Sequence, residues 1–181
     1  MRTFFVAIIL LAAVGCMHRG APPLPAAIPA IDGRPVTAYS LRFIDVQPGT
    51  GALMGARKCA YAHYTGWLTN GTKFDSSRDT MPDGTPRTPI EFPQGGRRVI
   101  VGWDTGFEGM RVGAKRRLFI PYQLAYGEVG RPPVIPAKAA LIFDVELMAV
   151  ADTLPRTVAP TPGQTPTPPA CPSWNDVKNA R

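Results

Sequence analysis

Residues 62–77, with the sequence AHYTGWLTNGTKFDSS, constrain the fold more than any other stretch of the chain. His63 and Tyr64 lie in an alternating segment that is typical of a β-strand, so their side chains point to opposite faces. The dipeptide Asn70-Gly71 is the strongest short-range signal for a two-residue hairpin turn. The residues after the turn are expected to form the return strand, so that the hairpin brings one acid close to several aromatic groups.

Three other segments have the composition of strands. Residues 38–46 and 115–120 are rich in aliphatic and aromatic side chains. In residues 140–149, apolar side chains alternate with Asp144 and Glu146, which predicts one face toward the core and one toward solvent.

One short helix is expected within residues 102–110, where three large apolar side chains recur at helical spacing: Trp103, Phe107 and Met110. Strands in series with a single short helix predict an α+β fold, in which a twisted antiparallel sheet wraps around that helix.

Several separated blocks resemble the FKBP family of peptidyl-prolyl cis-trans isomerases. Besides the hairpin, these blocks are VIVGW at 99–103, LAYG at 124–127, IP at 135–136 and LIFDVEL at 141–147. They occur in the family's order, and the resemblance covers residues 38–150. It implies the FKBP fold and catalysis of rotation about X-Pro bonds.

Rotation about an X-Pro bond needs no nucleophile, metal or cofactor, because its barrier of about 18–20 kcal/mol is the resonance of the amide. A pocket that binds the twisted amide better than the planar forms lowers that barrier. The resemblance implies a pocket with six catalytic residues: Tyr64, Phe74, Asp75, Trp103, Tyr126 and Phe143. It also implies five substrate-binding residues: Ile90, Val99, Ile100, Ile135 and Leu141.

Taken one at a time, these residues are not specific to a binding site. Each aromatic side chain alone is at least as typical of a core as of a site, and Asp75 alone is more typical of a turn cap; only their joint occurrence favours a site. Arg78 is expected either to pair with Asp75 or to be a solvated loop residue. His63 precedes Tyr64 and is expected to point away from the site.

The chain departs from small members of the family in two places. Residues 80–89 form an insertion, and Ile90 stands where those members carry an aromatic pocket residue. The resemblance implies affinity for macrolide inhibitors of the FK506 type, but these departures leave that affinity and the substrate preference open.

The first fifteen residues have the pattern of a secretory signal. Arg2 precedes an apolar run at 4–14, which is too short for a membrane-spanning helix of about twenty residues. Small residues before Cys16 resemble the bacterial lipobox, so residues 1–15 are expected to be a signal peptide and Cys16 to carry a lipid anchor. The residue after Cys16 is Met17 and not the aspartate that marks retention in the inner membrane of enteric bacteria. This favours a location at the outer membrane, facing the periplasm. An ordinary cleaved signal with an incidental cysteine is the alternative.

Two proline-rich arms are expected to flank the domain. Residues 16–37 are predicted to be an extended linker after the lipidated cysteine, and residues 151–181 a disordered tail. Cys59 is expected to lie in the core as a small apolar group. Its pairing with Cys171 in an oxidising compartment is the alternative, which a mobile tail disfavours.

The chain carries a formal charge of +7, and a basic surface can attract anionic membranes or nucleic acid. No block of five like charges occurs, and a protein in the envelope would not meet nucleic acid. The positive charge is therefore expected to serve solubility and not to bind a specific partner. The linker is too rich in proline for a helical dimerisation arm, which favours a monomer.

Three functions compete. The first is a lipid-anchored isomerase that acts on prolyl segments of unfolded or mobile envelope proteins. The second is a non-catalytic module that binds proline-containing segments as a chaperone or surface adhesin. The third is a structural lipoprotein, which would need no aromatic pocket.

Overall fold

The computed structural model describes residues 25–29, 31–33, 36–38, 40–153 and 170–180, and its main element is an antiparallel sheet of seven strands. The strands are β1 (Val36–Ala38), β2 (Leu41–Gln47), β3 (Lys58–Leu68), β4 (Lys73–Ser76), β5 (Ile90–Pro93), β6 (Lys115–Ile120) and β7 (Leu141–Asp152). Their order is β1-β2-β6-β7-β3-β4. Strand β4 pairs with the second half of β3, and β5 pairs with the first half of β3. This arrangement confirms the predicted α+β fold.

Helix α1 (Val101–Gly106) packs on the sheet, and a single turn of 3-10 helix follows at Tyr122–Leu124. Gly102 permits the close approach, because a Cβ atom there would collide with the side chain of Ile120 in β6. Trp103, Phe107 and Met110 are all buried in the main core, as their spacing predicted. The helix itself is shorter than residues 102–110, since Phe107 already ends it.

Strand β7 confirms the predicted alternation. Four of its side chains are buried in the main core: Leu141, Phe143, Val145 and Leu147. Asp144 and Glu146 between them are only half-buried. Because β7 pairs along its length with β3 and also with β6, it holds the centre of the sheet.

The hairpin between β3 and β4 is present, but its turn is longer than predicted. The loop covers residues 69–72, and the amide of Leu68 donates to the carbonyl of Thr72 at 2.9 Å. The side-chain oxygen of Asn70 accepts from the amide of Thr72 at 3.0 Å. A two-residue turn is therefore wrong, since this Asn side chain stabilises a wider loop by bonding the backbone two residues on.

The C-terminal segment also differs from the prediction. Strand β7 extends to Asp152, and residues 170–180 contain helix α2 (Trp174–Asn179). Cys171 forms a disulfide with Cys59, with 5.7 Å between the Cα atoms. A disordered tail is therefore wrong for residues 170–180, because a covalent bond and a packed aromatic ring hold this segment against β3. Cys59 is buried as expected, but as half of a disulfide.

Part of the predicted linker packs on the domain. Ile28 is buried in a small cluster with Trp67 and Ile142. Arg117, which is fully buried, donates to the carbonyl of Pro29 at 2.5 Å. The prediction of an extended spacer is therefore wrong for residues 25–29, because an apolar side chain here finds a partner on the sheet.

The predicted signal peptide and Cys16 lie outside the described residues. Within the described ranges, neither α-helix has the length and apolar character needed to cross a membrane.

Candidate active site

A cavity of about 200 Å³ opens between α1 and the β3–β4 hairpin, and we call it the aromatic pocket. It brings together all of the predicted site residues except two. The lining consists of Tyr64, Phe74, Asp75, Ile90, Arg98, Val99, Ile100, Trp103, Tyr126, Arg131 and Phe143.

Four of the five aromatic side chains in this lining pack against one another. The ring of Trp103 lies 5.1 Å from that of Tyr64 and 5.2 Å from that of Phe143, both nearly perpendicular to it. Phe143 in turn meets Phe74 edge to face at 5.5 Å. Such edge-to-face pairs each add about 0.5–1.5 kcal/mol beyond the area that they bury. The rings therefore hold one another in place before any ligand enters.

A glycine in β3 allows two of these rings to lie close to the backbone. Gly66 pairs with Asp75 in β4 and with Phe143 in β7. A Cβ atom at this position would come within 2.6 Å of the Phe74 ring and 2.7 Å of the Phe143 ring. Any side chain here would push the two rings into the pocket, so the shape of the site depends on this residue.

Asp75 is the one acid in the lining, and it is bound from two sides. Its Oδ2 accepts a hydrogen bond from the Tyr64 hydroxyl. Its Oδ1 accepts from Arg87 Nη1 at 2.7 Å, and the same nitrogen donates to the carbonyl of Ser76 at 2.8 Å. The carboxylate thus fixes the orientation of the tyrosine that forms one wall.

The partner of Asp75 is Arg87 in the insertion, which sequence reasoning missed. Arg78, the residue considered for this pairing, instead forms an ion pair with Glu146. No local pattern marks Arg87, because it lies twelve positions from Asp75 and reaches it through the fold of residues 80–89.

The electrostatics of this pair follow from their contacts. Burial alone would raise the pKa of Asp75, but the hydrogen bonds from Tyr64 and Arg87 outweigh it and hold that pKa below its ordinary value. Burial and the neighbouring carboxylate raise the pKa of the Tyr64 hydroxyl well above its ordinary value. Near neutral pH, Asp75 is therefore an anion and Tyr64 a neutral hydrogen-bond donor.

His63 lies outside the aromatic pocket, as its place in the strand predicted. Its Nδ1 is 3.0 Å from Ser77 Oγ, and burial lowers its pKa.

Two predicted substrate contacts do not reach the pocket surface. Ile135 is 3% exposed and Leu141 is 1% exposed, and both belong to the main core. Neither is among the residues that line the pocket. Leu141 is the first residue of β7, where its register partners Leu68 and Ile120 enclose it.

Arginines at the mouth of the pocket were not predicted. Arg98 and Arg131 are exposed and line its rim, and the Arg131 guanidinium lies 6.0 Å from the centre of the Tyr126 ring. Arg98 directly precedes the VIVGW block, but its sequence position alone does not distinguish it from a solvated loop residue.

Comparisons with known proteins agree with this geometry. Residues 54–148 match the family model described as FKBP-type peptidyl-prolyl cis-trans isomerase. A "FK506-binding protein" of Neisseria meningitidis serogroup A is 49% identical over 111 residues, which are 61% of this chain and 96% of that protein. The isomerase FkpA of Aeromonas hydrophila is 46% identical over 119 residues, or 66% of this chain and 41% of the relative.

The fold is likewise similar to a solved structure of this kind. The crystal structure of a peptidyl-prolyl cis-trans isomerase from Pseudomonas syringae aligns with a TM-score of 0.55 and 33% identity, over 64% of this chain and 78% of that one. With a family model that spans more than half of its 181 residues, the chain belongs to the family of FKBP-type peptidyl-prolyl cis-trans isomerases.

Proposed function

We propose that this domain accelerates X-Pro bond rotation by binding the twisted amide in the aromatic pocket. The observation that carries this proposal is the cage of perpendicular rings around one cavity, with Trp103 at its centre. A twisted amide has lost resonance and is less polar than a planar one. Contact with the aromatic rings of the pocket therefore favours it over either ground state.

The magnitude required is within reach of such a pocket. Each tenfold gain in rate corresponds to about 1.4 kcal/mol, so a hundred-thousandfold gain needs about 7 kcal/mol of differential binding. Burial of a proline ring against Trp103 positions the substrate. Hydrogen bonds from the Tyr126 hydroxyl and the backbone amide of Ile100 to substrate carbonyls would fix the chain on either side of the rotating bond.

The test is isomerisation of a short X-Pro peptide by the purified protein. Saturable acceleration over the uncatalysed rate is expected, and the uncatalysed step takes tens to hundreds of seconds. A folded protein that binds the peptide without accelerating rotation would contradict the proposal and favour the non-catalytic binding module.

An Asp75→Asn variant is expected to retain most of the activity. Asparagine still accepts a hydrogen bond from Tyr64 and loses only the ion pair with Arg87. In this pair the Arg87 side chain is 38% exposed and the Asp75 side chain 40% exposed. Such exposed pairs contribute little, so kcat/KM should fall only about three- to tenfold. The variant tests whether the acid orients Tyr64 or transfers a proton.

Asp79→Asn provides the matched control, because Asp79 pairs with exposed Lys73 and does not line the pocket. It should match the wild type. A loss greater than about a thousandfold in Asp75→Asn would indicate proton transfer in the rate-limiting step and would contradict this mechanism.

Activity on a peptide with blocked termini and no ionisable side chains should be constant between about pH 7 and pH 9. The pKa of the Asp75 carboxyl is lowered from its ordinary value of 3.8. Asp75 therefore keeps its favourable contacts at any pH above 3.8 and loses them only as the pH falls through the lowered pKa. Tyr64, with a pKa raised from 10.0, stays protonated over the same range. A step in kcat/KM within this window would mean that another titrating group acts in turnover.

We further propose that the protein acts in the bacterial envelope, tethered through a lipid on Cys16 to the outer membrane and facing the periplasm, as a monomer. Its substrates would be prolyl segments of unfolded or mobile envelope proteins. FK506-type macrolides are proposed inhibitors, since an apolar ring system suits the same pocket. Metabolic labelling with a fatty-acid analogue, compared between the wild type and Cys16→Ala, tests the anchor.

A further inference from the structure

A second and larger cavity opens beside the aromatic pocket, with a volume of about 680 Å³, and we call it the side groove. Tyr64 and Ser77 form its floor. One wall comes from the insertion and the start of β5, and the other from the C-terminal segment. Met81 and Arg87 lie on the first wall, and Ser173 and Trp174 lie on the second.

The C-terminal wall is held firmly in place. The Cys59–Cys171 disulfide ties it to β3, and the Tyr61 hydroxyl donates to the carbonyl of Pro172 at 2.7 Å. The ring of Trp174 packs 5.9 Å from that of Tyr61. The Ser173 hydroxyl accepts from the amide of Asp176 and so caps α2. These contacts set Trp174 at the edge of the groove.

The two cavities adjoin each other at two shared lining residues. Tyr64 and Ile90 line both, so a chain whose proline occupies the aromatic pocket can pass over them into the side groove. The groove is more than three times as large as the pocket and has apolar surface on both walls. Met81 on the insertion is 48% exposed, so its side chain is available to a ligand in the groove.

We propose that the side groove binds the stretch of substrate polypeptide that adjoins the target proline, with Trp174 as its main contact. This inference rests on the proposed function of the aromatic pocket. Large aromatic side chains at the edge of a cavity supply apolar area at a low entropic cost, and tryptophan is enriched among the residues that dominate binding. The protein therefore prefers extended polypeptides to short prolyl peptides, and the disulfide-bonded segment creates that preference.

The experiment compares two substrates with the same central X-Pro unit. One is a tetrapeptide, and the other is extended at both ends with apolar residues to about twelve residues, long enough to cover the groove at about 3.3 Å per residue. The wild type is expected to show a kcat/KM about tenfold higher for the long peptide. Trp174→Ala should lose this preference while its activity on the tetrapeptide stays within about twofold.

Two further variants make the result specific. Lys178→Ala changes an exposed residue of the same helix that does not line the groove, and it should behave as the wild type. Met81→Glu changes the opposite wall and should also reduce the preference for the long peptide. An unchanged preference in Met81→Glu would overturn the proposal, since the effect of Trp174→Ala would then come from undocking of the segment.

The tetrapeptide tests the isomerase activity of the aromatic pocket, and the comparison of the two peptides tests the side groove. No turnover of the tetrapeptide by the wild type would refute the isomerase mechanism. Normal turnover with equal kcat/KM for both peptides, or an equal loss on both in Trp174→Ala, would leave the isomerase standing and overturn the side groove as a substrate site.

Discussion

A Phe143→Ala variant is expected to lose about a hundredfold in kcat/KM for X-Pro peptides, or about 2.7 kcal/mol of transition-state stabilisation. Phe143 is the ring that the other walls share: it lies within 5.2 Å of Trp103, 5.5 Å of Phe74 and 6.2 Å of Tyr64. Without it, water enters the cavity and the three remaining rings lose their common support. A wet and mobile pocket no longer discriminates between the twisted and the planar amide.

The same variant should also be less stable. Phe143 is 3% exposed, and truncation of a buried phenylalanine costs about 3–5 kcal/mol. The activity must therefore be measured at low temperature on protein shown by circular dichroism to be folded.

Phe119→Ala is the matched control for this variant. Phe119 is a neighbouring sheet phenylalanine that packs against the separate cluster of Trp67 and Ile142. It should lose stability but keep its turnover. Unchanged kcat/KM in folded Phe143→Ala would mean that these rings are core residues only.

Removal of the Cys59–Cys171 disulfide is expected to lower the free energy of unfolding by about 2–4 kcal/mol. The bond joins residues 112 positions apart, so it restricts the unfolded chain over most of the domain. It also holds Trp174 near Tyr61, and those contacts become weaker when the segment is free. Urea unfolding of the wild type with and without reductant measures the effect through the shift in midpoint.

A Cys59→Ala/Cys171→Ala double variant controls for the chemistry of the reductant. Its midpoint should match that of the reduced wild type and should not respond to reductant. If reductant leaves the midpoint of the wild type unchanged, the disulfide contributes nothing to stability and the position of the C-terminal segment must depend on packing alone. Turnover of a short prolyl peptide should be little affected in either case, because neither cysteine lines the aromatic pocket.

Much of the fold is determined by local patterns. The alternation in residues 141–147 assigned one face of β7 to the core because adjacent side chains of a strand point to opposite sides. Trp103, Phe107 and Met110 became buried together because helical spacing places them on one side of a short helix and the turn after it. The aromatic pocket followed from the resemblance, which placed residues from distant blocks in one site, whereas each residue alone is equally typical of a core.

Other features were decided by tertiary structure. Arg87 reaches Asp75 across twelve positions, and Cys171 reaches Cys59 across 112, and no periodicity encodes contacts of that kind. Ile135 and Leu141 have the side chains of pocket residues, but whether such a side chain lines a cavity or only the core depends on its neighbours in the fold. A proline-rich arm has the composition of a spacer, yet one of its apolar side chains can still find a partner, as Ile28 does beside Trp67. The sequence by itself thus determined five of the seven strands, the place of the helix and the set of pocket rings, because these depend on neighbouring residues and shared motifs. Only the tertiary structure decided which charges pair and which ends of the chain dock, because those contacts form between segments that the fold alone brings together.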